Sequence, residues 1–415
     1  MTGRPLRSST AARQIGFINV AHGICHYCLL ILPTAVLAMA IDGGPFGADY
    51  GPILALATGM FVLYGVLSLP QGSLAARFGR RALITAYLFG VGLSLIACGL
   101  ATSPIALALA LAATGAFAAI YHPIGTAMLV DTAGERPGRA IGVNGVFGNV
   151  GVALAPVVTA FLAGRFGWHA AFLAPGALTL VVAIAWSREP PFDHAAHASK
   201  RPFPVIPRAI VRQAVISLLL IAIVSGLVFN AFTILLPKLL QERLATDPRL
   251  LSAVGVAAFL VTLCGALTQF TVGRLIDRVR LRRVFLPMAA VLAPCLVGLS
   301  FLQGWALLPV AGLAAAAIFG QVTVNETMTA RYISPQIRAR MYSVRFFVGF
   351  LGSAVAAPLV AGLHERTGNL AWVTAVLAGF ALITLGCALF FPDRREELQP
   401  ELWAEAAANG AVTAE

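Results

Sequence analysis

Charge is what this sequence has least of. Only 11% of its 415 residues are Asp, Glu, Lys or Arg, against roughly 25% in a soluble domain. Acids are scarcer than bases, 17 against 29. With 59% apolar residues and a mean hydropathy of +0.86, water cannot be the main solvent of the folded chain. Cysteine is also sparse: Cys25, Cys28, Cys98, Cys264, Cys295 and Cys387 all fall inside apolar segments, which argues against a disulfide framework. There is no nucleotide-binding loop, no Gly-x-Ser-x-Gly elbow and no His-Glu-x-x-His pair, so nothing points to an enzyme or to a cofactor. The net charge of +12 would suggest nucleic acid in a soluble protein. Here the bases sit in short loops between apolar runs, so the expected partner is a lipid bilayer and not nucleic acid.

What the chain has is apolar length. At ~20 residues per crossing, spans are expected near 15–41, 50–76, 81–101, 104–131, 139–164 and 168–187, then 211–240, 250–276, 283–303, 305–330, 338–364 and 369–391. These boundaries divide the chain into a first six-helix bundle (1–187), a Pro-rich charged linker (188–210), a second six-helix bundle (211–392) and a tail (393–415) expected as a frayed amphipathic helix on the inner surface. The basic N-terminal segment runs into the first span without a cleavage site, so no removable signal peptide is expected. Most Lys and Arg residues fall on the side of the termini, which predicts a multi-pass inner-membrane protein with both termini cytoplasmic. Lys238, at an outer helix end, is expected to snorkel.

The two halves echo one another. Gly72-Ser73-Leu74-Ala75-Ala76-Arg77 recurs as Gly273-Arg274-Leu275-Ile276-Asp277-Arg278, each followed by a basic pair, Arg80-Arg81 and Arg282-Arg283. His26 to Pro33 (HYCLLILP) likewise matches Asn230 to Pro237 (NAFTILLP). The first segment, completed by Phe78 and Gly79, resembles the loop signature G-x-L-a-D-r-x-G-r-[RK] of the major facilitator superfamily, with Ala76 in the acid's place and Asp277 keeping it in the second copy. The resemblance covers essentially the whole chain. It implies an all-α membrane protein of twelve transmembrane helices in two pseudo-symmetric six-helix bundles, and a monomer that moves a small-molecule substrate by alternating access. It also implies a gating loop at Gly72, Arg77, Arg80, Arg81, Gly273, Asp277 and Arg278. Of the family's drug-antiporter patterns only Gly115, Ala118 and Ala119 on the fourth helix and Gly151 to Pro156 on the fifth remain. Tyr121-His122-Pro123 and Gly148-Asn149-Val150-Gly151 are similar to the fosmidomycin-resistance-like efflux branch. The implied activity is proton-coupled export of a small organic solute or drug, with protons as the second partner.

Ionisable groups inside a span cost at least ~2.5–3.5 kcal/mol at the bilayer centre, so each is a candidate. His22 and His26 are one turn apart on one face of the first helix. His122 precedes a helix-loosening proline, with Tyr121 beside it. With Asn149, Asn230, Gln321 and Asn325 they form the candidate substrate site. Glu326 and Arg345 overlap in depth and form the candidate charge pair for proton coupling. Two rivals stay open: a transition-metal or metal-chelate carrier using His22, Cys25, His26 and His122, and a non-transporting receptor on the same fold.

Overall fold

The computed structural model describes residues 4–42, 44–133, 137–190, 204–244, 251–276, 278–399 and 402–403. In hydrocarbon a backbone has no water to bond, so the apolar segments satisfy their peptide groups internally as helix. Among the described residues eleven helices are long and apolar enough to cross a membrane, or twelve when one bent pair counts as a span, and no strand occurs. Span 1 is Arg4–Leu29 with Ile31–Asp42, and span 2 is Tyr50–Ala55, Thr58–Val66 and Gln71–Phe78. Span 3 is Arg80–Gly99, span 4 is Pro104–Ala118 with Tyr121–Ala133, span 5 is Pro137–Phe166 and span 6 is Trp168–Ser187. Spans 7 to 12 are Arg208–Leu244, Leu251–Ile276, Leu281–Phe301, Leu307–Tyr332, Pro335–Thr367 and Ala371–Phe390.

Three expected single spans are broken, each beside a proline. Proline lacks an N–H and its ring crowds the carbonyl four residues back. Pro33 and Pro123 lie four residues after Leu29 and Ala119, where spans 1 and 4 break. Pro70 lies four after Val66, where span 2 bends by 65°.

Glycine sets how close the helices come. A Cβ on Gly151 of span 5 would collide with the carbonyl oxygen of Gly23 on span 1. In the second half a Cβ on Gly226 of span 7 would collide with Gly349 of span 11. Spans 1 and 5, and 7 and 11, therefore cross backbone to backbone in the small-residue mode of membrane helices.

The halves meet where span 2 packs on span 11 and span 5 on span 8. A Cβ on Gly51 would lie 3.1 Å from the Ala361 oxygen, and one on Gly255 would lie 2.9 Å from the Pro156 oxygen, both toward the end of the bundle away from the termini. At that end Tyr50 of span 2 lies 5.0 Å from the His364 ring and 5.5 Å from the Lys238 ammonium. The Lys238 ammonium lies 3.7 Å from the Glu242 carboxylate, which itself lies 2.8 Å from the His364 ring nitrogen. Toward the termini Asn149 donates to Gln269 across the halves. Farther along the same face of span 5, Gly145 and Gly142 have nothing within 4 Å.

Most of the linker (191–203) and the last residues (404–415) lie outside the described residues. The described tail is tucked in rather than lying as an amphipathic surface helix. Trp403 is buried beside Tyr332, at a ring distance of 6.2 Å. The Glu397 carboxylate, fully enclosed, accepts from the Leu281 N–H at 3.0 Å and the Tyr332 hydroxyl at 2.5 Å, with Arg331 at 3.5 Å. A free donor at the start of span 9 and a basic residue beside it offset part of the cost of burying the carboxylate.

Two outcomes follow. Gly151→Val should cost about 1–3 kcal/mol by overpacking, read as a lower unfolding midpoint in detergent, whereas Gly142→Val, facing open space, should leave it unchanged. Burial pushes the Glu397 carboxyl above its ordinary value against the pull of its donors. The folded chain therefore holds that proton more tightly than the unfolded chain, and stability should fall as pH rises from ~4.3 through the raised value. Glu397→Gln should flatten that part of the profile, checked by unfolding midpoints across pH.

Candidate functional site

The break at Pro123 sets Tyr121 and His122 in the first turn of the second piece of span 4, facing span 1. His22 and His26, one turn apart, face back. The three imidazoles form a triangle with ring centres 4.9, 5.1 and 5.3 Å apart. His22 Nδ1 lies 2.7 Å from the Asn144 carbonyl oxygen. A carbonyl can only accept, so Nδ1 carries the proton and, in a neutral ring, Nε2 is bare. His26 Nε2 stands 3.2 Å from that bare nitrogen and donates to it.

Asn144 of span 5 is the joint of this site. Its amide donates to Asn19 Oδ1 and to the Tyr121 hydroxyl oxygen, each at 2.9 Å, while the Tyr121 hydroxyl donates to the Ile18 carbonyl at 3.0 Å. His22 stacks on the Tyr121 ring at 5.0 Å. The second half closes the triangle with an aromatic wall: His122 lies 5.8 Å from Phe346 and 6.1 Å from Phe350, and Tyr64 of span 2 lies 4.5 Å from Phe350.

Phe346 links this wall to the charge pair. The Arg345 guanidinium sits 5.3 Å from the Phe346 ring centre and 2.6 Å from Glu326 Oε1. The guanidinium is nearly enclosed, at 10% exposure, whereas the carboxylate keeps 37%. A buried cation is stable only with its partner in place, and the partner here remains reachable. In the register that aligns His26 with Asn230, His122 aligns with Glu326 and Tyr121 with Asn325, so span 10 carries an acid where span 4 carries an imidazole.

The other candidates divide. Gln321 and Asn325 are buried on span 10, with Gln321 Nε2 and Asn325 Oδ1 making no hydrogen bond among the described residues. Asn230 spends its amide on Ser353 Oγ at 2.7 Å and the Gly226 carbonyl at 2.9 Å, pinning span 7 to span 11. Asn149 bridges the halves to Gln269. Cys25 is not with the histidines: its sulfur turns to the Tyr64 hydroxyl and the Ala118 carbonyl, each at 3.8 Å. In the loop, Gly72 has open space, Arg77 lies over the Phe78 ring at 5.2 Å, and Arg81 donates to the carbonyls of Ser187, at 3.0 Å, and Glu189. Arg80 belongs to the same basic pair at the start of span 3. Where Ala76 leaves no acid, this half is fastened through backbone carbonyls at the end of span 6. In the second copy Gly273 packs near Thr323, Arg278 is exposed and Asp277 lies outside the described residues.

Sequence reasoning passed over Asn19, Tyr64, Gln269, Phe346 and Phe350. Asn19 was the findable one, because it continues the stripe of His22 and His26 one turn back. The wall residues come from helices of both halves and carry no polar signal.

The sequence model of the Major Facilitator Superfamily matches residues 23–264 and 218–412. The chain belongs to the Major Facilitator Superfamily. It is 28% identical over 391 residues to the 4-hydroxybenzoate transporter PcaK of Pseudomonas aeruginosa, covering 85% of this chain and 86% of that one. It is also 27% identical over 201 residues to a multidrug resistance protein B homologue of Mycobacterium tuberculosis, 46% of this chain and 37% of that one. Its fold matches crystal structures of a bacterial homologue of the human lysosomal transporter Spinster in inward-facing unoccupied and occupied conformations. The TM-scores are 0.66 and 0.67 at 16% identity, over 94% of this chain and 95% of those. This superfamily member is thus a multi-pass, all-α membrane transporter.

Replacing the joint tests the geometry. Asn144→Leu strands the Asn19 carbonyl oxygen and removes a donor from Tyr121, and should cost about 1–3 kcal/mol, measured as a drop in the unfolding midpoint. Ser353→Ala, at the second half's crossing, should cost less, because Asn230 keeps its bond to Gly226.

Proposed function

We propose that this transporter exports a small aromatic organic solute across the inner membrane in exchange for protons, with Glu326 as the group both ligands compete for. The observation that carries the reading is the continuous strip from Glu326 and Arg345 through Phe346 to His122. It joins a reachable carboxylate to stacked rings within one site. Aromatic walls recognise a ring by stacking and edge contacts, and a carboxylate recognises a hydroxyl or amine by accepting from it. The chain's likeness to a 4-hydroxybenzoate transporter supports an aromatic cargo, and its likeness to a multidrug resistance protein supports the outward direction.

Exchange follows from exclusion. A deprotonated Glu326 takes the solute's donor; a protonated one loses that preference and loosens its hold on Arg345. Two ligands that exclude one another at one carboxylate are coupled reciprocally. With the termini cytoplasmic, the touching ends of spans 2, 5, 8 and 11 face outward, and the open ends face the cytoplasm where the solute is collected. The halves then rock about the site in the manner of parallel-repeat transporters. Gln321 and Asn325 offer the neighbouring unpaired polar atoms that a bound solute would satisfy.

In proteoliposomes, Glu326→Gln should abolish proton-driven accumulation while leaving solute exchange, and its solute affinity should no longer fall as pH is lowered. Uphill transport unchanged in the variant would refute Glu326 as the coupling group. Proton-driven movement of aromatic solutes only toward the cytoplasmic face would refute export.

A further inference from the structure

The three histidines have a geometry that a hydrogen-bonded chain does not require. One ring nitrogen from each of His22, His26 and His122 lies within 4.8 Å of the others, and the Nε2 atoms of His22 and His26 are 3.2 Å apart. Around a tetrahedral zinc ion at Zn–N of ~2.0–2.1 Å, ligand nitrogens stand about 3.4 Å apart. One pair already has that spacing, and less than about 1 Å of movement per ring would close the rest on one ion.

The groups behind the rings fit as well. Metal-ligating histidines hold their far N–H on a carbonyl or carboxylate, which fixes the tautomer and aims the lone pair. His22 does this through Nδ1 to the Asn144 carbonyl, and Asn144 is itself held by Asn19 and Tyr121. The joint therefore presents a bare Nε2 into the triangle. His26 can turn its own lone pair inward by moving its proton to Nδ1, which replaces the bond to His22 with two bonds to an ion.

We propose that His22, His26 and His122 form a binding site for one divalent transition-metal ion, with the fourth coordination position left to water or to the solute. The donor set sets the class of ion: three imidazoles suit zinc, nickel or copper, whereas magnesium and calcium require oxygen. Neither neighbour supplies the fourth ligand, since the Tyr121 hydroxyl is spent on Ile18 and the Cys25 sulfur faces Tyr64. Three neutral ligands leave the ion's double charge uncompensated in a low-dielectric setting. This favours an anionic fourth ligand, hydroxide or a carboxylate or phenolate of the cargo. The inference rests on the triangle alone and not on proton exchange at Glu326.

Chelator-stripped, untagged protein titrated with Co2+ should take up one equivalent with the strong visible absorption of a low-coordinate cobalt–imidazole centre, and Zn2+ should bleach it. His26→Asn installs the residue that the second half carries at the matching place. It should weaken Zn2+ binding at least about 10–100-fold while eluting as a single folded species. His122→Gln should do the same, and His169→Ala, whose ring bonds the Gly99 carbonyl, should bind as the parent does. A folded parent that binds no stoichiometric ion, or His26→Asn and His122→Gln variants that bind as tightly as the parent, would overturn the proposal. Solute exchange in metal-free proteoliposomes is read separately, so failure of the metal site and failure of the export reading give different results.

Discussion

A peptide group in hydrocarbon has no water to fall back on, and the architecture follows from that one constraint. It makes each apolar run a helix and makes any interruption an event with local consequences. Pro33, Pro70 and Pro123 are where the rule is broken, and the break in span 4 is answered by a neighbour. Ala118, at the end of the first piece of span 4, has its carbonyl approached by the Cys25 thiol. Just beyond it the chain restarts with Tyr121 and His122 turned to span 1. The break that weakens span 4 is the same feature that delivers its site residues.

Close crossings then fix the depth at which these groups meet. Spans 1 and 5 touch at Gly23 and Gly151, and spans 7 and 11 at Gly226 and Gly349, so the halves are built on one plan. What they mount on it differs. The first half carries imidazoles and a hydroxyl held by amides; the second carries a carboxylate and a guanidinium at the matching levels. The aromatic rings of Tyr64, Phe346 and Phe350 join the two. One half offers neutral directional groups and the other offers charge, and they share a single apolar boundary.

Much of this was legible in the residues. Twelve apolar runs, the duplicated loop and the bias of basic residues announced the fold, because hydropathy and repeats are properties of the chain in order. The His22 and His26 pairing followed from helical spacing, and the Glu326 and Arg345 pairing from the cost of unpaired charge in a membrane. What stayed hidden depends on which helices become neighbours. Nothing local says that Asn144 holds three other groups together, that Asn230 is spent on Ser353, or that Cys25 turns from the histidines beside it. The described start of the tail misled for the same reason: mixed in charge, it looked like surface, yet Glu397 finds a free donor at Leu281 that only the folded bundle creates.

The contact that seals the end away from the termini is lopsided. Glu242, Lys238 and His364 all belong to the second half and satisfy one another there, while the first half brings the ring of Tyr50 to that cluster. Parting the halves at that end breaks no ion pair and strands no charge. It would withdraw an aromatic lid from a cluster that stays neutralised, and part the close packing of Gly51 on Ala361 and of Gly255 on Pro156. A seal made of apolar packing and one ring is nearly deaf to ionic strength, because no ion pair of the cluster spans it.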